Sequence, residues 1–166
     1  MSLRNIQRKV PNWAVLFSSG LIGVAFLILL GLRIFGLNPK GPRPGLWLSG
    51  TVLKTAVADW SFSEQYPMVE VQTRPWYLVP HSVTIYCVSY QNRLYLQAFG
   101  KTWKAYVLHD PRVRIKIANK LYDGTAVPVT DPEEYRGVVR SLSAKYGGRP
   151  WPEDFSPNTY FRFASR

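Results

Sequence analysis

The longest apolar stretch of the chain, residues 13–32, contains no charged side chain and ends at Arg33. An α-helix rises about 1.5 Å per residue, so roughly 20 apolar residues span a bilayer core about 30 Å thick. A secretory signal has a shorter apolar core and a small-x-small cleavage site, and this segment has neither. We therefore predict a transmembrane helix over residues 12–37 that acts as an uncleaved signal anchor, after a basic flank over residues 1–11.

Positive charge is concentrated around this apolar stretch. The chain has a net charge of +11, and residues 1–43 contain basic side chains but no acidic one. Such cations interact with anionic lipid head groups beside a membrane helix. Because no nucleic-acid-binding motif accompanies the charge, we expect a lipid bilayer and no nucleic acid as partner. The basic groups before the helix slightly outnumber those after it, which favours a cytoplasmic N-terminus and a domain on the outer or periplasmic side.

The residues after the helix are typical of a β-rich domain. Proline and glycine in residues 38–45 predict a linker. Alternating or β-branched runs then predict strands, and two pairs of them are close enough in sequence to form hairpins. The predicted strands cover residues 46–54, 68–73, 83–90, 94–99, 112–118 and 121–130.

Two predicted helices interrupt this order of strands. Residues 101–110 place Trp103, Tyr106 and Val107 on one side of a short helix that stops before a proline. Asp131 begins a second helix, with a capping-box-like partner three residues later, and Gly147 ends it. We expect a small antiparallel barrel with two packed helices over residues 46–148. The proline- and tryptophan-rich tail over 149–166 is expected to contribute a final edge strand.

The order of elements in residues 68–146 resembles the FMN-binding split-barrel superfamily of pyridoxamine 5′-phosphate oxidase. The resemblance rests on the hairpin over 83–99, on Lys-Thr-Trp-Lys before the short helix, on Asp-Pro-Arg-Val after it, and on Tyr-Asp-Gly-Thr-Ala. It implies a mainly antiparallel β split barrel with two packed helices, which follows the single N-terminal transmembrane helix predicted above. In that family a Ser/Thr and a Lys at the start of the short helix hold the flavin phosphate. Thr102 and Lys104 match this pair, which implies contact with the phosphate of FMN or a deazaflavin.

The other half of the family's phosphate site is not matched. Basic residues of the central hairpin supply it in the family, whereas residues 83–88 here read Val-Thr-Ile-Tyr-Cys-Val. A phosphate binds less tightly when half of its cationic partners are missing. Two functions therefore stay open. The first is a non-catalytic accessory or structural subunit of a membrane complex, with partner subunits or a second copy of the chain. The second is a membrane-tethered flavin- or deazaflavin-dependent oxidoreductase.

Basic and aromatic side chains outside the predicted phosphate site at Thr102 and Lys104 are candidates for contact with lipid or a partner. The basic residues follow the start of the short helix and one face of the next strand, and Asp110 is the single acidic residue among them in sequence. Solvated basic side chains and aromatic rings folded back onto the barrel are the alternative interpretation. The predicted contact residues are Lys101, Arg112, Arg114, Lys116, Lys120, Trp60 and Trp76. Cys87 is expected to be a buried thiol, and we predict no catalytic residue and no metal site.

Overall fold

A computed structural model of the chain describes residues 12–147 and 150–166, with side chains from residue 17 onward. The predicted basic flank over 1–11 lies outside the described residues. Helix α1 covers Asn12–Phe35, and a separate compact unit covers Gly36–Arg166. Within α1 the segment Phe17–Phe35 is long and apolar enough to cross a membrane. The coarse expectation of an N-terminal helix suited to anchoring is therefore confirmed, and the side of the membrane stays a prediction.

The part of Gly36–Arg166 that the structure describes contains seven strands, six of which close into a barrel. The strands are β1 Thr51–Leu53, β2 Met68–Thr73, β3 His81–Tyr90, β4 Arg93–Gln97, β5 Arg112–Ile117, β6 Lys120–Pro128 and β7 Tyr160–Ser165. The order around the barrel is β6-β5-β2-β3-β4-β7, and β7 pairs with β6 to close it. All pairs in the barrel are antiparallel, and β1 adds a short parallel strand beside β6. The predicted fold class is confirmed.

Two α-helices and a 3-10 helix accompany the strands, as α2 Lys101–His109, α3 Pro132–Tyr146 and the 3-10 helix Ser61–Gln65. At the start of α3 the Asp131 carboxylate accepts a hydrogen bond of 2.8 Å from the backbone N–H of Glu134. Gly147 follows the helix with φ of 54°, a backbone conformation that glycine adopts without steric cost. Both predicted helices are thus confirmed, together with the residues that limit α3.

Two expectations about strands are wrong. Only Thr51–Leu53 of the predicted strand over 46–54 joins the sheet. The residues before it are held by other bonds, among them one of 2.8 Å from the Leu48 N–H to the Gln72 side-chain oxygen. The last strand, β7, is not an edge strand, because it pairs with β4 on one side and with β6 on the other. The tail therefore supplies the strand that closes the barrel.

Alternating residues of the hairpin β3–β4 point into two different apolar clusters. Cys87 and Leu96 belong to the cluster inside the barrel, whereas their neighbours Val88 and Tyr95 belong to a second cluster. Successive side chains of a strand point to opposite faces of the sheet, so the second cluster lies outside the barrel. It consists of hairpin residues packed against α3, Trp151 and Tyr160. The outer face of the hairpin is thus covered by protein.

Candidate functional site

The corner predicted to hold a phosphate lies where α2 begins, beside the first half of β3. Gly100 precedes the helix and provides no side-chain cap, so the first N–H groups of α2 are available to an anion. A cavity of about 230 Å³ adjoins this helix start. Its wall consists of residues 41–44 and 83–86 with Gln97, Gly100 and Trp103. Thr102 is exposed and Lys104 half-buried, and neither of them lines this cavity.

Linker residues 41–44 form one side of this cavity. Gly45 and Ser82 exchange two backbone hydrogen bonds of 2.8 and 2.9 Å, which attach the linker to the free edge of β3. Lys40 and Arg43 also exchange two backbone bonds, so the linker turns back on itself there. Arg43 consequently reaches the cavity wall. Sequence reasoning missed this cation because it lies in the linker, far before β3 in sequence, and belongs to no hairpin.

The outer face of β3 beyond the cavity is closed by aromatic rings. The Tyr86 ring lies edge-on to the rings of Tyr146 and Trp151, with centroids 5.1 and 5.7 Å apart. Further along β3, the ring of Tyr90 packs directly on Gly137 of α3, where any side chain would collide with it. Pockets for drug-sized ligands measure about 300–1,000 Å³. The cavity at the helix start is smaller than this range, and the rings of Tyr146 and Trp151 cover the strand beside Tyr86.

The basic strand face is largely paired with acidic side chains. The strand register places Arg114 opposite Asp123 and Lys116 opposite Glu70. The Arg114–Asp123 ion pair measures 2.7 Å and the Lys116–Glu70 pair 3.7 Å. Asp110 is the only acidic residue among these cations in sequence, and β2 and β6 bring further acidic partners that are distant in sequence. Lys101 and Lys120 are exposed.

Asp110 itself pairs with Arg112 at 2.7 Å. The guanidinium hydrogen bonds of Arg112 lower the pKa of the Asp110 carboxyl to about 2. Hydrogen bonds from Arg114 likewise lower the pKa of Asp123. Both carboxylates therefore remain charged at neutral pH and neutralise part of the basic surface. A contact of this surface with lipid or a partner stays a prediction.

Trp60 does not have the exposed position predicted for a contact residue. Its side chain is buried, with ring centroids 5.1 Å from Tyr122, 5.4 Å from Phe163 and 5.5 Å from Phe62. The backbone N–H of Trp60 donates to the Asn92 carbonyl at 2.9 Å. The turn is thereby bonded to the hairpin β3–β4, so Trp60 is a core residue of the barrel.

Trp76, by contrast, is exposed in the loop between β2 and β3. Its side chain is 70% exposed, and that of Leu78 is fully exposed. The Trp76 ring lies edge-on to Tyr106 of α2 at 5.2 Å. The sequence singled out the tryptophan of this loop but missed Leu78. A leucine between Tyr77 and Val79 gives no signal of exposure, since most leucines are buried.

A polar network around Cys87 was also missed. The Lys145 ammonium donates to the backbone carbonyls of Cys87 at 3.0 Å and Ser63 at 3.2 Å, and lies 3.6 Å from the Glu64 carboxylate. Burial raises the pKa of the Cys87 thiol to about 11. The thiol stays protonated at neutral pH, which makes it a poor nucleophile and metal ligand. The network therefore fastens α3 to β3 and the 3-10 helix. No cluster of three or more metal-binding side chains occurs among the described residues.

No protein-family model and no curated protein sequence matches this chain. Similar solved structures include a conserved hypothetical protein of Mycobacterium tuberculosis, at 18% identity and a TM-score of 0.49 over 63% of this chain and 76% of that one. A candidate pyridoxamine 5′-phosphate oxidase from Listeria innocua has 14% identity and a TM-score of 0.44 over 62% and 85%. A FAD-binding protein from Mesorhizobium loti has 11% identity and a TM-score of 0.38 over 60% and 79%. These neighbours are of the kind that the resemblance in sequence predicts.

Proposed function

We propose that this chain is a membrane-anchored split-barrel protein that acts as a non-catalytic accessory or structural subunit of a membrane complex. The observation that carries the proposal is the covered outer face of β3. Tyr146 and Trp151 pack against Tyr86 on this face, and the linker is bonded to the free edge of the strand at Ser82. The chain's own segments thus cover the strand at Tyr86 and Ser82, and the cavity lined by residues 83–86 remains beside the start of α2.

The charges near α2 support the same proposal. Residues 83–88 contain no basic side chain, and three cations of the basic strand are paired with carboxylates. A phosphate needs unpaired cationic donors with suitable geometry. The described cavity at the start of α2 has one basic residue in its wall, Arg43.

The position of Arg43 in the cavity wall favours a second candidate function, that of a membrane-tethered flavin- or deazaflavin-dependent oxidoreductase. Together with the free N–H groups of α2, this guanidinium could hold the phosphate end of a cofactor. In that case Arg43→Ala weakens flavin binding by about 1.5–3 kcal/mol, the range for a hydrogen bond to a charged group. Lys120→Ala, a change of an exposed cation outside the cavity wall, is the matched control and leaves the affinity unchanged.

The two functions are separated by purifying the full chain from its native membrane in mild detergent. The proposal predicts a colourless protein that elutes with partner proteins in fixed ratio. A visible flavin or deazaflavin band at about one equivalent per chain, on a protein that elutes without partners, would replace the accessory role by the redox role.

A further inference from the structure

We propose that the loop over residues 74–80, between β2 and β3, inserts its apolar tip into the surface of a bilayer that carries anionic head groups. This inference goes beyond the proposed function, because an accessory subunit needs no lipid contact outside its anchor. The observation behind it is the exposure of three consecutive apolar or aromatic side chains. Trp76 is 70%, Tyr77 44% and Leu78 100% exposed.

The loop presents these side chains on a firm support. The Tyr77 and Tyr106 hydroxyls lie 3.1 Å apart, and the Trp76 ring packs edge-on against Tyr106. At the base of the loop the Thr73 hydroxyl donates to the His81 carbonyl at 3.0 Å. The tip therefore projects because α2 packs behind it. Trp and Tyr are the side chains that favour the membrane–water interface, where an apolar ring and a polar tip are both satisfied.

The charges beside the loop fit anionic head groups. Arg74 opens the loop and lies within electrostatic reach of Asp110 and Asp123. These two carboxylates are already paired with Arg112 and Arg114, and Arg166 also acts on Asp123, so four guanidinium groups share two carboxylates. The surplus is positive, and each additional Lys or Arg near an anionic surface strengthens its attraction.

The size of the exposed tip favours a bilayer over a protein partner. A stable protein interface buries about 800 Å² on each side, more than three side chains at one loop tip provide. Insertion of a Trp, a Tyr and a Leu into an interface requires no such area, since each apolar side chain contributes separately. The chain also carries α1, which is long and apolar enough to cross a membrane. Anchoring by α1 keeps the loop at a high effective concentration of lipid, so that a small contact is enough for insertion.

The test places a polarity-sensitive fluorophore on the loop of the full chain. Cys87 is the only cysteine and is buried, so Leu78→Cys supplies the single accessible thiol. The matched control is Ser143→Cys on the exposed face of α3, and the unmodified chain serves as the labelling blank. Labelled protein is reconstituted into phosphatidylcholine vesicles with and without phosphatidylglycerol, and quenching by spin-labelled lipid is measured.

The proposal predicts a blue-shifted, lipid-quenched fluorophore at position 78 and a water-exposed one at position 143. Phosphatidylglycerol increases the quenching at position 78. Adding Arg74→Gln to the labelled Leu78→Cys chain lowers the ratio of lipid-shielded to water-exposed fluorophore about fivefold in the anionic vesicles. The same substitution leaves this ratio unchanged in the neutral vesicles. A fluorophore at position 78 that remains in water in both vesicles overturns the proposal. Shielding that appears only when native partner proteins are present also overturns it, in favour of a protein contact.

Discussion

The two aromatic turns of the barrel domain have similar sequences and opposite positions. Asp59-Trp60-Ser61-Phe62 and Arg74-Pro75-Trp76-Tyr77 both place aromatic side chains next to a charge and a turn residue. Trp60 is 2% exposed, whereas Trp76 is 70% exposed. The aromatic content of a turn therefore does not decide whether it is buried or presented to a partner.

Hydrogen bonds of the backbone account for the difference. The turn at Trp60 is fixed by its N–H bond to Asn92 and by a bond of 2.9 Å from the Ser63 N–H to the Trp60 carbonyl. These bonds direct the indole into the barrel, where it meets Tyr122 and Phe163. The loop at Trp76 is instead supported from behind by α2, and its rings remain at the surface.

The largest effect that tests this comparison is expected from replacing the two tryptophans. Trp60→Ala removes a buried ring and leaves a cavity, so we expect the free energy of unfolding to fall by about 3–5 kcal/mol. Trp76→Ala is the matched control and changes it by less than about 1 kcal/mol. Denaturant unfolding of the full chain in detergent, followed by the circular dichroism of the barrel, measures both. Equal losses would show that the two turns contribute alike to stability and would break the comparison.

Gly124 tests the packing beneath Trp60. A side chain at this position in β6 would collide with the Phe163 ring and with the Ala164 carbonyl oxygen, and Phe163 is the ring that supports Trp60. We expect Gly124→Ala to destabilise the barrel by about 1–3 kcal/mol through overpacking. Gly41→Ala serves as control for the loss of a glycine, since nothing lies within 4 Å of a side chain there, although the positive φ of Gly41 adds some strain. A melting temperature unchanged by Gly124→Ala would contradict the tight packing.

Lys145 tests whether the 3-10 helix holds the Trp60 turn in place. Lys145→Met leaves the carbonyls of Ser63 and Cys87 without this donor. We expect a loss of about 1–2 kcal/mol, because two hydrogen bonds from the ammonium and its ion pair with Glu64 disappear. Arg140→Met, on the exposed surface of the same helix, should cost less than about 0.5 kcal/mol. Equal effects of the two substitutions in thermal unfolding would remove the proposed fastening role.

The smallest effect at neutral pH is expected for Cys87, which is buried in the barrel like Trp60. Its thiol has a pKa raised to about 11 by burial, whereas an unfolded thiol titrates near about 8.5. The raised pKa contributes stability that is present below about pH 8.5 and is lost as the pH rises through about 11. Cys87→Ala should therefore flatten the dependence of unfolding free energy on pH in this alkaline range.

The rate at which iodoacetamide modifies a thiol gives a second measurement of the difference in exposure between Cys87 and the loop over residues 74–80. At neutral pH, iodoacetamide should modify Cys87 roughly a hundredfold or more slowly than the thiol introduced by Leu78→Cys, since the reacting thiolate is scarce and buried. Comparable rates for the two thiols would contradict the burial of Cys87 and the exposure of the loop.

The sequence predicts local elements of this fold well because their signals are local. The alternation Arg-Val-Arg-Ile-Lys-Ile marks β5, and Asp131 marks the start of α3. Long-range pairing leaves no such signal. The role of β7 in closing the barrel and the ion pair between Lys116 and Glu70 depend on the register of strands distant in sequence. Both were therefore beyond prediction from pattern alone.

The candidate site was less predictable than the fold for a similar reason. Thr102 and Lys104 were selected by their resemblance to a motif, but the cavity wall beside α2 contains Arg43 and Gln97 instead. Arg43 reaches that position because Gly45 pairs with Ser82, a contact between linker and barrel that periodicity cannot reveal. The ion pairs of Arg114 and Lys116 were also beyond sequence reasoning, because their acidic partners come from neighbouring strands.

The central claim of the proposed accessory role is that this chain binds no flavin. The most direct measurement is a titration of FMN with the full chain in detergent, followed by flavin fluorescence, for the unmodified chain and for Arg43→Ala. Our account predicts no saturable quenching with either protein. Saturable binding of one FMN per chain, weakened by Arg43→Ala, would contradict the account and identify the barrel as a flavoprotein.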